Sequence, residues 1–302
     1  MRFYLIPIVA TAILTSCSTL PVPGVVSNKA TAAEAKAILR RSSASQGNSW
    51  KKYQSVEVSY DGKWSAIATQ VQPVLTDPAF RKTSREIYQP RLGKVRQIHS
   101  GPAGTKVVVR ERHQIEVKLN GLRSNNHEIQ DASALVADAY TVFLFGSSWL
   151  LEHGDDWSLL DEKSISSERC HLVAGRLRPG LGNSAEDHFI AWISAESGLL
   201  KRFQFTLNGM DSTRGADVDV EFQDYWKAAD GSVWPSHFIE HIQRPILAKA
   251  HEWRMTSLRL DGRISAVGSS PVPSDHRATS WGVDQSARRL TRATRTHRQP
   301  RH

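Results

Sequence analysis

The stretches "KRFQFTLNG", Lys201 to Gly209, and "ADVDVEFQDY", Ala216 to Tyr225, decide how this chain folds. In the first, Phe203, Phe205 and Leu207 alternate with polar residues; in the second, Val218, Val220 and Phe222 alternate with Asp217, Asp219 and Glu221. Successive side chains on a strand point to opposite faces, so this period of two predicts strands with one apolar and one wet face. Outward from there the pattern repeats. "WISAESGLLKRF" predicts a hairpin around Ser197-Gly198, "AADGSVWP" a turn at Asp230-Gly231, and "HFIEHI" and "AKAHEWRMTSLRL" two further strands. Toward the N-terminus, "REIYQ", "KVRQIHS", "TKVVVRER" and "HQIEVKLNG" read as short strands, and "SVEVSYDGKWSAIATQVQ" as a hairpin turning at Asp61-Gly62.

Two segments break the alternation. "TAAEAKAILRRSSASQG" starts with Thr31 as a candidate N-cap, carries Glu34 in its first turn, and predicts a helix whose apolar side includes Ala35, Ile38 and Leu39. "DASALVADAYTVFLFGSSWLL", Asp131 to Leu151, predicts a second helix ending near Gly146. With Leu135, Ala139, Val142, Phe143 and Leu144 spread over most of its faces, it must be buried against a sheet; its length and polar surroundings argue against a membrane span. Many short strands and two helices imply an α+β fold: one strongly curved antiparallel sheet, a half-barrel, with the helices on its concave side. Space left between sheet and helices is then an apolar, ligand-sized cavity. Its expected wall is Trp64, Phe203, Phe205, Val220 and Phe222 from strands and Phe143 from the helix.

The N-terminus carries a separate signal. Met1-Arg2 precedes an apolar run, Phe3 to Leu14, of secretory length, and then Leu14-Thr15-Ser16-Cys17, which has the form of a bacterial lipobox. The expectation is a signal peptide over residues 1–16, lipid attachment at Cys17, a tether over 17–30, a curved-sheet domain over 31–265 and a disordered Arg-rich tail over 266–302. Acyl chains contribute about 0.8 kcal/mol per buried methylene, so two or three of them hold a protein on a membrane. In Gram-negative lipoproteins an Asp after the cysteine usually signals inner-membrane retention, so with Ser18 there the lipobox resemblance implies outer-membrane sorting, facing the periplasm. Cys170 is then the only cysteine left, which excludes an intramolecular disulfide; "SERCHLVAGRL" places it on a strand as a buried, inert thiol.

The chain's net charge of +9 raises nucleic acid as a partner, but from Pro271 onward seven Arg face two Asp, so the tail alone supplies more than half of the excess. No nucleic-acid partner is expected. Arg288, Arg289, Arg292, Arg295, Arg298 and Arg301 instead suit attraction to an anionic envelope surface. Catalytic and metal chemistry finds no support either. His237 and His241 in "HFIEH" would share a metal on a helix but lie about 13 Å apart on a strand. Ser184, Asp187 and His188 lack the nucleophile elbow of a hydrolase, "RPGLGNS" lacks the Lys of a phosphate loop and reads as a surface loop, and Glu152, Asp155 and Asp156 lack calcium-loop spacing. No catalytic residue, metal ligand or cofactor is assigned.

The order of elements resembles the outer-membrane lipoprotein-sorting, LolA/LolB-like superfamily from about Ala32 to Leu260. The resemblance rests on the lipobox, on the early helix with Gly47 and Trp50 after it, on "DHFIAWISAESGLLKRFQFTLNG", and on "VDVEFQDYWKAADGSVWPSHFIEHI". The segment "RPGLGNSAED" and the Arg-rich tail have no counterpart in that pattern. The resemblance implies a non-enzymatic, membrane-anchored protein that takes a lipid or other apolar molecule into its concavity. The alternative is an interaction protein of the envelope with a filled core, acting through its surface and basic tail.

Overall fold

The computed structural model describes residues 20–21 and 29–264. Of two compact units, Met1–Val272 and Pro273–His302, only the first contains described residues.

Two antiparallel meanders build one sheet. The first comprises β1 (Val56–Trp64), β2 (Thr83–Gln89), β3 (Lys94–Gly101), β4 (Gly104–Glu111), β5 (Gln114–Leu119) and β6 (Leu122–Arg123). The second comprises β7 (Gly154–Ile165), β8 (Glu168–Leu177), β9 (Asp187–Ser194), β10 (Leu200–Thr206), β11 (Asp217–Lys227), β12 (Val233–Arg244) and β13 (Ala248–Leu260), with the short β14 (Arg263–Ile264) pairing to β13. The meanders join where β1 pairs with β13, so β6 and β7, consecutive in the chain, lie at opposite edges of the sheet. The chain between them must therefore cross the whole sheet. It does so as one helix, α4 (His127–His153), whose 27 residues span about 40 Å at ~1.5 Å per residue.

Helix α4 touches β3, β4 and β5 from one meander and β10 and β12 from the other, so the sheet curls around it. On the same side, α1 (Lys29–Ser45) packs on α4 and on β7 to β9; α2 (Ala66–Val71) lies on β13, and α3 (Pro73–Thr76) on α4. Strands β6 and β7 are not bonded to one another, so the sheet stays open. This is the expected α+β half-barrel with helices on its concave side. By length and composition α4 is apolar enough to cross a membrane, yet 72% of its apolar window is buried inside the protein.

Helix α4 differs at both ends from the expectation. It begins at His127 after the N-cap Asn126, whose side chain accepts the Ile129 N–H at 3.1 Å, and at Gly146 it kinks without ending. Gly146 has φ 50° and ψ −129°, and a Cβ there would lie 3.0 Å from the Gln46 Oε1. Beyond the kink the helix is tied to the α1 end of the chain, through Ser42 and Ser147 hydroxyls 2.7 Å apart and through Trp50 N–H donating to the Ser148 Oγ at 3.0 Å. These bonds hold two further turns that a glycine alone would have ended.

Other expectations are corrected by tertiary contacts. Asp61-Gly62 is no turn: β1 runs through both, and Gly62 is needed because a Cβ would lie 2.2 Å from the Glu252 carbonyl oxygen on β13. After β1 the chain enters α2, capped by Ser65, whose hydroxyl accepts the Ala68 N–H at 3.1 Å. The segment "RPGLGNSAED" folds inward instead of lying on the surface. Gly182 N–H donates to the Asp138 Oδ2 on α4 at 2.9 Å, the Arg110 Nη2 donates to both Asp138 (2.9 Å) and the Gly182 carbonyl (2.8 Å), and Leu181 is buried.

The faces of the sheet are also less uniform than period-two reading predicts. Val56, Val58 and Tyr60 stand opposite Tyr88, Glu86 and Ser84, which stand opposite Val95, Gln97 and His99, so these polar side chains face the core and are buried there. Ser84 and Tyr88 hydroxyls both donate to Glu86, and burial pushes the Glu86 carboxyl above its ordinary value and the His99 imidazole well below its own. On the outer face, Asp217 and Asp219 are buried, not wet; Asp219 accepts from the Gln243 amide at 2.9 Å beside Arg202 and His241. Cys170, Leu172, Ala174, Ile190 and Trp192 form a second small apolar cluster there.

Candidate functional site

Between the helices and the second meander lies a cavity of about 260 Å³. Its roof is Ala68 and Val71 of α2 with Leu75 of α3; its floor is Phe205 of β10, Val218 of β11 and Ile242 of β12; Val136, Ala139, Tyr140 and Phe143 of α4 form one side. The roof exists because β1 and β2 are joined by a long segment that Ser65 starts as a helix and Pro73 restarts as another. Both helices are too short to be stable alone, so they hold their places by packing. Near the roof, Ile67 and Val71 are half exposed, and the β12–β13 turn presents Ile246 and Leu247, the latter 76% exposed, next to the wall residue Pro245.

One cation stands inside this apolar wall. Arg81 comes just after the α3 segment, is 2% exposed, and lines the cavity. Its Nη1 donates to the Leu75 carbonyl at 3.0 Å and its Nη2 to the Tyr140 hydroxyl at 2.9 Å. Its guanidinium carbon lies 4.8, 5.3 and 5.6 Å from the ring centres of Trp64, Tyr140 and Trp253, an aromatic cage that offsets part of the charge's desolvation. Beside it, His251 of β13 places Nε2 2.7 Å from the Glu240 Oε2; burial lowers the imidazole's pKa and raises that of the Tyr140 phenol. The arrangement can hold an apolar chain with one polar end.

Of the six residues expected on the wall, Trp64, Phe143 and Phe205 line the cavity, whereas Phe203, Val220 and Phe222 are buried in the packed core beside it. Phe203 stacks on Phe205 at 5.2 Å and Phe222 lies 6.4 Å from Phe143, so the two groups are continuous. Cys17 and the six tail arginines lie outside the described residues. Arg81, Tyr140 and His251 were missed by sequence reading. Arg81 in "DPAFRK" looks like any loop charge, but His251 shares the phase of Trp253 and Met255 along β13, a signal that it faces the core.

A second cavity, of about 400 Å³, lies near the kinked end of α4 and is more polar, lined by Trp50, Trp149, His153, Arg110, Asp138 and Arg178 among others. The remaining chemistry-bearing residues have structural roles. Asp187 accepts from Thr206 at 2.7 Å and from Leu181 N–H at 2.8 Å, while Ser184 donates to the Glu186 carbonyl and His188 pairs with the Glu186 carboxylate, so the three make no triad. His237 sits between Asp224 and Glu252 and His241 beside Asp219, with no shared site. Cys170 is buried on β8, and burial pushes its thiol up to about 11. Among the described residues, no three His, Cys, Asp or Glu side chains are grouped to hold a metal ion.

No protein-family model matches the sequence, and no curated protein matches it. Solved structures do. A LolA superfamily protein from Nitrosomonas europaea is 11% identical with a TM-score of 0.47, over 75% of this chain and 93% of that one. A DUF1329 family protein from Desulfovibrio piger is 12% identical with a TM-score of 0.45, over 80% of this chain and 95% of that one.

Proposed function

We propose that this chain is an envelope lipoprotein, anchored through an acylated Cys17, that binds a lipid or other apolar molecule in the cavity beneath α2 and α3 and catalyses no reaction. The observation that carries the reading is the wall itself: side chains such as Leu75, Phe143, Phe205 and Ile242 surround space that no side chain fills. Native cores rarely leave voids larger than a water, and a dry apolar cavity attracts an apolar guest. At about 260 Å³ it sits just below the ~300–1,000 Å³ typical of small-molecule sites, which suits one chain and not a two-chain lipid. The half-exposed Ile67 and Val71 give an apolar guest a path past the roof. In this reading the anchor places the domain at the outer membrane facing the periplasm, and the arginines from Arg288 to Arg301 hold anionic surfaces.

Native mass spectrometry of the gently purified chain, with organic extraction afterwards, tests the reading. Co-purified fatty acid or another single-chain amphiphile is the expected result. A clean mass together with no uptake of a fluorescent fatty acid would refute it and favour the filled-core interaction protein. For the tail, deleting residues 288–302 is expected to weaken salt-sensitive binding to anionic vesicles; equal binding across a salt series refutes that part alone.

A further inference from the structure

Three buried polar atoms without a hydrogen-bond partner belong to residues of one part of the cavity wall, Trp64 Nε1, Arg81 Nε and His251 Nδ1, and a fourth, Trp253 Nε1, lies in the packed core beside them. They belong to one cluster, because the Trp64 ring lies 4.4 Å from that of His251 and 6.5 Å from that of Trp253, and Arg81 stands over both indoles. Buried donors are almost always satisfied in native proteins, so the unmet N–H groups of Trp64 and Arg81 on one cavity wall need an acceptor. Arg81 sharpens the point. Among the described residues no carboxylate lies within ion-pair distance of its guanidinium, and the two neutral acceptors it has, Leu75 O and Tyr140 OH, occupy two of its five N–H groups. A buried cation with no carboxylate bonded to it costs several kcal/mol, of which the aromatic cage and the more distant charge of Glu86 return only part. The nearby acids are engaged elsewhere: Glu240 is bonded by His251, and Glu86 by Ser84 and Tyr88.

We propose that the guest of this cavity is a single-chain amphiphile with a carboxylate head, the head held by Arg81 with the Trp64 N–H group and the chain running along the Phe143, Phe205 and Ile242 wall. This rests on the reading of the cavity as an apolar-ligand site. A planar carboxylate matches the fork of a guanidinium, and charge-assisted bonds of this kind are roughly twice as strong as neutral ones. It also supplies the missing anion without enlarging the cavity as a phosphate head would.

The test is isothermal titration of the full-length chain with dodecanoate, dodecanol and dodecyl phosphate. Dodecanoate is expected to bind about ten- to a hundredfold tighter than dodecanol, and Arg81→Gln to bring that ratio close to one. Trp64→Phe keeps a ring over the guanidinium but removes one donor; it should lower the preference for dodecanoate over dodecanol about fivefold, and it decides the matter if Arg81→Gln does not fold. Equal affinity for acid and alcohol, or equal loss of both in the variants, overturns the head-group assignment and leaves the apolar cavity standing. Tighter binding of dodecyl phosphate overturns the choice of carboxylate. Binding of none of the three overturns this inference and the cavity reading together.

Discussion

Phe143 and Phe238 offer a comparison that tests whether the cavity is open in the folded protein. Both are nearly fully buried, 2% and 1% exposed, and their rings are 5.6 Å apart. Phe238 is enclosed by the rings of Tyr60, Tyr140, Phe143, Phe222 and His251, whereas Phe143 meets rings on one side and the cavity on the other. Truncating a buried Phe to Ala costs about 3–5 kcal/mol, the spread reflecting how many partner atoms are lost. Phe238→Ala should therefore fall near 5 kcal/mol and Phe143→Ala near 3 kcal/mol, because atoms facing empty space have fewer dispersion partners to lose. For a domain of this size each kcal/mol moves Tm by about 2–4 °C, so the two melting points should differ by roughly 4–8 °C, with urea midpoints in the same order. Both costs lie within the ~5–15 kcal/mol stability of ordinary domains, so both variants should fold at low temperature. If Phe143→Ala proves as costly as Phe238→Ala, the side of Phe143 assigned to the cavity is packed, and the reasoning fails.

Particular contacts set three further outcomes. Ala139→Leu places extra methyl groups in the cavity; Tm should hold or rise, while fluorescent fatty-acid uptake drops by about an order of magnitude, and full uptake would mean that the guest binds elsewhere. His99 is buried and held neutral, its pKa well below the usual 6.5, so only the unfolded chain takes up its proton near that value. Its contribution to stability is present above about pH 6.5 and is lost as pH falls, and His99→Gln should flatten the urea midpoint between pH 7 and pH 5; an unchanged slope refutes this. Gly62→Ala pushes a methyl against the Glu252 carbonyl at the seam between the meanders, so it should destabilise by on the order of 3 kcal/mol, read by chemical denaturation, and a neutral result would mean that β1 and β13 separate easily.

The amino-acid order by itself determined the strands of the second meander, whose alternation of Phe203, Phe205 and Val218, Val220, Phe222 is a local property of a pleated backbone. It also determined that α4 is buried, since a helix apolar on most faces has no wet side to show. Only tertiary structure decided which face of each strand is inside. Period two separates two faces without naming the inner one, and Ser84, Glu86, Gln97 and His99 turn inward because they share register with Val56, Val58 and Tyr60. The same holds for Asp61-Gly62, a turn by local chemistry that the close approach of β13 keeps in a strand. Arg81 is the limiting case. Its burial depends on Tyr140, 59 residues away, and on Trp253, far beyond it in the chain on β13, and no local pattern can encode a cage assembled from distant parts of the chain.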